Sequence, residues 1–127
     1  MLVTAVHTVM VQTTDMERSV AFYRDVLGLT PGYTSPYWSD FAVGGTRLGI
    51  HPILREGGKI EPFSNAIICL ESNDLAGVRA AILNSNGQVA GEFHQTPGGV
   101  IFDVLDPDGN NLQFIQPNSK LSDFSSK

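Results

Sequence analysis

The stretch GGVIFDVLDPDGNNLQF, residues 98–114, contains the strongest structural signal in the sequence. Its first part, GVIFDVL, is a β-branched and aromatic run that is typical of a strand. The chain then reverses, because Pro107 fixes φ and Asp108-Gly109 favours a tight turn. A second strand-like run follows and contains Gln113. The segment therefore predicts an antiparallel hairpin.

The turn of this hairpin also invites a second interpretation, because its aspartates and asparagines resemble a cation-binding loop. A calcium loop of the EF-hand kind needs oxygen ligands at alternate positions and a glycine at the sixth. Counting from Asp106, Pro107 stands second and Gly109 fourth. The pattern fails, so the sequence predicts a turn here and no calcium site.

The same order of elements occurs twice along the chain. In the first half, a strand over residues 3–11 precedes a helix that is capped by Asp15, or by Thr14 before it, and ends at Gly28. Two or three strands follow, the last two being YWSDFAV and TRLGIHP, joined by Gly44-Gly45. The second half repeats this order with the strand AIICLES, a helix capped by Asp74, and the strands QVAGEFH, GVIFDVL and NNLQFIQP. The repeat predicts two β-α-β-β-β modules.

The modules predict the domain organisation and the fold class. Module one spans about 3–54 and module two about 64–117, with a linker at about 55–63 and a polar, loosely held tail at 118–127. Each half buries too little surface alone, so both belong to one domain, residues 1–127. Each helix covers one face of its strands. We expect an α+β fold with the helices outside and a cavity on the concave face of the sheet.

Composition excludes several classes of function. The chain has 127 residues and a net charge of −5, without the basic stripe that nucleic acid or an anionic membrane requires. It has no apolar run long enough for a membrane span. The single cysteine, Cys69, lies in the apolar run AIICL and is expected to be buried and inert. We expect a cytoplasmic protein with no nucleic-acid or membrane partner.

Two segments carry a resemblance to a known family. SVAFYRDVLGL, residues 19–29, and the hairpin at 98–114 resemble the vicinal oxygen chelate superfamily. This superfamily includes glyoxalase I, extradiol dioxygenases and bleomycin resistance proteins, and the resemblance covers residues 3–117. It implies an incomplete barrel whose cavity is often completed by a second subunit, and hence a homodimer. It does not determine the reaction, because members with unrelated activities share these segments.

The resemblance also implies where a divalent metal would be held, on the first and last strands of the modules. Gln113 matches the final ligand, but an amide binds a cation more weakly than a carboxylate. The equivalent position in module one is Gly49, and His51 lies two residues further on. His7 resembles the usual histidine of the first strand, although it is one step out of register unless a bulge intervenes. The metal candidates are therefore His7 and Gln113, with His51 as a possible third ligand.

Other side chains could bind a ligand in the cavity without a metal. Tyr37 or Trp38 would provide a flat surface for a planar molecule, if turned inward. Arg47 could pair with an anionic group, and His94 could exchange a proton near neutral pH. Asp103 interrupts an apolar run and faces either the cavity or solvent. Together with His51, these residues form the predicted ligand-binding set.

Three functional hypotheses follow. The first is a pocket with a degenerate metal site and no cofactor, which binds a small planar or apolar organic molecule as in the bleomycin resistance branch. The alternative is a metal-dependent lyase, isomerase or dioxygenase of the glyoxalase type, using zinc, nickel, manganese or iron. The third is a metal-free enzyme with His7, His51 or His94 as acid or base. The sequence leaves open whether the protein is an enzyme.

Overall fold

The structure, a computed structural model, describes residues 2, 4–53 and 66–124. The chain divides into two compact units, residues 1–60 and 61–127. The predicted linker at 55–63 lies outside the described residues, as do the last three residues of the predicted tail.

The first unit consists of four strands and one helix. In chain order these are β1 (Val9–Thr13), α1 (Met16–Ala21) with a π-helical continuation (Phe22–Val26), β2 (Thr30–Thr34), β3 (Ser39–Val43) and β4 (Thr46–Pro52). The sheet order is β1-β4-β3-β2. β1 runs parallel to β4, and the other neighbours are antiparallel.

Local sequence signals determine both ends of this helix. The Asp15 carboxylate accepts the backbone N–H of Arg18 at 3.1 Å, which satisfies a donor of the first turn. In the π-helical turn, the N–H of Leu27 bonds to the carbonyl of Phe22 at 3.1 Å. Gly28 follows with φ of 75°, a left-handed conformation that favours glycine. The predicted start and end of the helix are confirmed.

The strands of the first sheet alternate between two faces. The face that packs on the helix carries the buried side chains of Val11, Leu48, Ile50 and Phe41, and the Phe41 ring lies 6.0 Å from that of Tyr23. Strand pairing places Gly49 opposite both Met10 and Asp40 on the other side. We call this second side the helix-free face; it is formed by Met10, Gln12, Asp40, Arg47, Gly49 and His51.

The second unit repeats the arrangement. Its elements are β5 (Ile68–Glu71), α2 (Leu75–Leu83), β6 (Gln88–Val89), β7 (His94–Thr96), β8 (Gly99–Leu105), β9 (Asn111–Pro117) and a 3-10 turn (Leu121–Phe124). The sheet order is β5-β9-β8-β6, and β7 also pairs with β8. β5 runs parallel to β9, just as β1 runs parallel to β4. The predicted α+β class with two sheets is confirmed, and the described strands form no closed barrel.

The turn of the opening hairpin is also confirmed. The Asp106 carboxylate accepts the N–H groups of Asp108 and Asn110 at 2.9 Å each, and the side-chain amide of Asn110 at 2.9 Å. Gly109 has φ of 91°. Donors of the chain itself surround this carboxylate, so the turn is closed without a cation.

Three local predictions were wrong. The first strand begins at Val9, and residues 4–8 are not part of it, because pairing with β4 begins at Val9. The predicted strand QVAGEFH is two short strands, β6 and β7, interrupted around Gly91. The described part of the predicted loose tail, residues 118–124, packs on the second unit through Phe124, whose ring lies 4.9 Å from that of Phe93. In these places tertiary contacts outweigh local propensity.

Within the described residues, no helix is long and apolar enough to cross a membrane.

Candidate functional site

The indole of Trp38 lies over Gly49 on the helix-free face of the first sheet. A Cβ built at Gly49 would overlap Cη2 of Trp38 and lie 2.7 Å from its Cζ2. Any side chain at position 49 would therefore compete with the ring for the same space. The glycine allows the indole to lie against the backbone of β4.

A buried carboxylate holds this indole in place. The Trp38 Nε1–H donates to Asp40 Oδ2 at 2.7 Å, while the backbone N–H of Tyr33 and Nη1 of Arg47 donate to Oδ1 at 3.1 and 3.0 Å. Asp40 is only 5% exposed, covered by these side chains and not deep in the core. The hydrogen bond from Trp38 lowers the pKa of Asp40, and the Tyr33 and Arg47 donors lower it further, against the raising effect of burial. Asp40 is therefore ionised and fixes both Trp38 and Arg47.

His51 forms another side of the same surface. Its ring centroid lies 6.3 Å from that of Trp38, with an interplanar angle of 66°. His51 Nδ1 lies 2.7 Å from the carbonyl oxygen of Pro52. Because a carbonyl only accepts hydrogen bonds, Nδ1 carries a proton and Nε2 is left for another partner. The result is a flat aromatic surface between a guanidinium and an imidazole.

Three of the predicted ligand-binding residues, Trp38, Arg47 and His51, are thus brought together. Tyr37 is not part of this group, since it is 79% exposed and its backbone N–H donates to the Ser35 hydroxyl. His7 is exposed and precedes β1. The pairing of β1 with β4 is continuous from Val9 to Thr13, so β1 contains no bulge that would shift the register of His7.

The remaining predicted residues belong to the second unit. Gln113 on β9 lies between Cys69 on β5 and Asp103 on β8, and its Nε2 donates to Asp103 Oδ1 at 3.0 Å. His94 is exposed, with Nδ1 3.3 Å from the carbonyl oxygen of Glu92. Sequence reasoning named both members of the Gln113–Asp103 pair but did not predict their contact.

The expectation that Cys69 is buried was wrong. Its side chain is exposed, because it shares with Gln113 the sheet face that α2 does not cover. Partial burial raises the pKa of the Cys69 thiol, and the nearby charges of Glu71 and Asp103 raise it further. A raised pKa disfavours the reactive thiolate, so the thiol is accessible but not activated.

Sequence reasoning missed Asp40, the residue that organises the site. One signal was present, since an acidic residue lies two positions after Trp38 within the strand-forming stretch YWSDFAV. Period-two alternation places residues 38 and 40 on one face of a strand. An unpaired carboxylate inside a strand requires a partner.

The first unit also has a groove of about 680 Å³ between α1 and the loop from β2 to β3. Two of its charged lining residues already have structural partners, because Asp15 caps α1 and Arg24 pairs with Asp25 at 2.8 Å. The groove contains neither Trp38 nor a histidine. The helix-free face brings an indole, a guanidinium and an imidazole together, so it is chemically better equipped to recognise an organic ligand.

Comparison with known proteins identifies the family. Residues 5–114 match the model of the Glyoxalase/Bleomycin resistance protein/Dioxygenase superfamily, which covers most of the chain. The chain belongs to this superfamily. The resemblance to vicinal oxygen chelate proteins is thereby confirmed. A search of curated proteins found no match.

Several solved structures share the fold. A glyoxalase-related enzyme from Fulvimarina pelagi is 19% identical, with a TM-score of 0.77 and coverage of 90% of this chain and 88% of that one. The antibiotic-binding protein TnmS3 from Streptomyces sp. CB03234 is 25% identical, with a TM-score of 0.73 and coverage of 93% and 99%. The bleomycin-binding protein of Streptomyces verticillus, solved with copper(II)-bleomycin, is 19% identical, with a TM-score of 0.66 and coverage of 92% and 100%.

The position that the resemblance gives to a metal ligand on the last strand of the first unit is Gly49, which has no side chain. On the first and last strands of that unit, Met10 lies opposite Gly49, and Trp38 fills the space above the glycine. On the corresponding strands of the second unit, Cys69 lies opposite Gln113. Among residues 2, 4–53 and 66–124, no three His, Cys, Asp or Glu side chains gather into a possible metal site. The Trp38 ring therefore occupies the space in which a side chain at position 49 would hold a metal ion.

The close contact between Gly49 and Trp38 gives a testable prediction. We expect Gly49→Ala to lower the free energy of unfolding by about 1–3 kcal/mol, because the methyl group displaces the indole and breaks its bond to Asp40. Emission from Trp38, the single tryptophan, should change at the same time. Urea unfolding followed by fluorescence measures both effects.

Gly45→Ala is the matched control for this substitution. A Cβ at Gly45 meets no atom within 4 Å, so the change should cost less than about 0.5 kcal/mol. Equal stability of the two variants would contradict the packing of Trp38 on Gly49.

The lowered pKa of Asp40 predicts how its contribution depends on pH. Because the pKa of the folded state lies below the unfolded value of about 3.9, the ionised carboxylate stabilises the fold above about pH 4. This contribution is lost as the pH falls through the folded pKa. Asp40→Asn should therefore destabilise by about 1–3 kcal/mol at pH 7, and the difference from wild type should shrink below about pH 4.

Urea unfolding of both proteins between pH 3.5 and pH 7 measures this difference. Asp25→Asn is the control, because the exposed Arg24–Asp25 pair is screened by solvent and should contribute little. If the difference in free energy of unfolding between wild type and Asp40→Asn is the same throughout this pH range, Asp40 does not stabilise the fold through its charge.

Proposed function

We propose that the protein binds a small planar or apolar organic molecule, stacked on the Trp38 indole at the helix-free face of the first sheet. The observation that carries this proposal is the indole held over Gly49 by its bond to Asp40. A flat ring offers a large contact area, and offset stacking adds attraction beyond the burial of surface.

The fixed position of the ring favours binding. Trp38 is half-buried, and both its packing on Gly49 and its 2.7 Å bond to a buried carboxylate restrict its rotamer. A ligand that stacks on a side chain already ordered does not bear the entropy cost of ordering it. Arg47 and His51 lie beside the ring as polar groups that would orient the ligand.

Two relatives support this ligand class. One solved neighbour is described as an antibiotic-binding protein and another as a bleomycin-binding protein in complex with copper(II)-bleomycin. Binding of a small organic molecule is therefore a function that this fold performs elsewhere. The superfamily also contains metal-dependent enzymes, and the predicted homodimer and enzyme alternatives stay predictions.

The proposal is tested by thermal unfolding with a panel of planar antibiotics and aromatic metabolites. Each compound is tested with and without added zinc, nickel, manganese or iron, and the metal content of the purified protein is measured in parallel. We expect at least one planar compound to raise the melting temperature without added metal. Stabilisation or turnover only with a stoichiometric metal would instead support the metal-dependent alternative.

A further inference from the structure

We infer that a small pocket at the turn between β3 and β4, which shares Arg47 with the helix-free face, receives an anionic group, so that the preferred ligand is a planar aromatic anion. This inference rests on the proposed function, because it specifies the ligand of the same face. The pocket has a volume of about 330 Å³ and is lined by His7, Ala42, Gly44, Gly45, Thr46 and Arg47.

The guanidinium of Arg47 is the main attraction for an anion. It carries five N–H donors and gives one nitrogen, Nη1, to Asp40 at 3.0 Å, while its side chain is 50% exposed. The rest of its planar fork suits the two oxygens of a carboxylate, sulfonate or phosphate. His7 and Thr46 line the same pocket, and the Thr46 hydroxyl and the His7 ring nitrogen that does not contact Thr8 are the groups that would donate to an anion.

The turn between β3 and β4 lets a ligand approach the backbone. Val43 and Thr46 form the last pair of the hairpin, so Gly44 and Gly45 lie outside the ladder. A Cβ at either glycine would meet no atom within 4 Å, which means that this side of the turn is open. Backbone N–H groups without a side chain beside them are common donors to anions.

Asp40 connects this pocket to the aromatic surface. One of its oxygens accepts from Trp38 and the other from Arg47, so a single carboxylate bridges the two side chains. The charge of Asp40 is balanced by that of Arg47, so an anion would be held mainly by hydrogen bonds from the remaining N–H groups of the guanidinium. A ring stacked on Trp38 can therefore carry an acidic substituent that reaches Arg47. Since the whole chain has a net charge of −5, such binding would be local and not a general attraction for anions.

The test compares 2-naphthoate with 2-naphthamide, which have the same ring system and differ in charge. Binding is followed through the indole 1H–15N signal, which belongs to Trp38 alone. We expect wild type to bind the naphthoate about fivefold more tightly than the amide at constant ionic strength. Arg47→Gln and His7→Ala should each reduce the ratio of the two affinities, whatever their effect on the amide alone. Lys120→Gln, which removes an exposed positive charge from the second unit, should keep the preference.

A second titration uses inorganic phosphate, which does not depend on stacking. Phosphate should shift the backbone amide signals of Gly44, Gly45 and Thr46 in wild type, and these shifts should disappear in Arg47→Gln. Equal binding of both naphthalene probes, with no phosphate shift at these amides, would overturn the proposal of an anion-binding pocket. The proposal that planar ligands stack on Trp38 would stand. A preference that persists in both Arg47→Gln and His7→Ala also overturns it. If neither naphthalene binds and phosphate causes no shift, both proposals fail.

Discussion

Replacing Trp38 with alanine is expected to weaken the binding of planar ligands by about 10- to 100-fold, because stacking on one aromatic side chain contributes about 1–3 kcal/mol. The substitution removes the whole flat surface above Gly49. It also leaves Asp40 without its 2.7 Å donor, so Arg47 loses part of its fixed position. Isothermal titration calorimetry with a ligand identified by thermal unfolding measures the loss.

Two further variants make this result specific. Trp38→Phe keeps a ring but removes the indole N–H, so we expect an intermediate affinity. Tyr37→Ala removes the neighbouring aromatic side chain, which is 79% exposed, and should bind ligands as tightly as wild type. Undiminished affinity in Trp38→Ala, or an equal loss in Tyr37→Ala, would place the ligand elsewhere.

Gly99→Ala is expected to have the largest effect on stability, lowering the free energy of unfolding by about 3–5 kcal/mol. Gly99 opens β8 with φ of 144°, a backbone conformation that residues with a Cβ rarely adopt. A Cβ there would overlap the carbonyl oxygen of Gln116 and lie 3.2 Å from the backbone nitrogen of Asn118. The Gln116 and Asn118 atoms belong to the backbone that pairs with β8, so they can move aside only by disrupting the hairpin.

The adjacent glycine provides the control for this prediction. A Cβ at Gly98 would meet Ile115 Cδ1 at 3.6 Å, an ordinary contact with a flexible side chain. Gly98→Ala should therefore unfold in urea close to wild type, while Gly99→Ala unfolds at much lower concentrations or is recovered unfolded. Similar midpoints for the two variants would contradict the described path of β8.

The fold could largely be predicted because its signals are local. Asp15 and Asp74 cap the helices, Gly28 ends the first, and the DPDG turn joins β8 to β9 as expected. Each of these features depends on residues a few positions apart. The first strand and the QVAGEFH segment were mispredicted because strand limits depend on a partner strand distant in sequence.

The site could be predicted only in part, for the same reason. Trp38, Arg47 and His51 were recognised by residue type, but their meeting depends on the register of β3 against β4. The importance of Asp40 follows from three donors that only the folded chain brings together. Gly49 was noted as a missing ligand, whereas the structure shows that the Trp38 ring occupies its space.

The most direct test of ligand stacking on Trp38 is the 1H–15N signal of the Trp38 indole during titration with a planar ligand. Nε1–H donates to Asp40, so the signal starts from a hydrogen-bonded position. If the ligand stacks on the ring, its ring current should shift this signal progressively and saturably, with the dissociation constant found by calorimetry. A ligand that binds the protein stoichiometrically and leaves the indole signal unmoved would contradict the account.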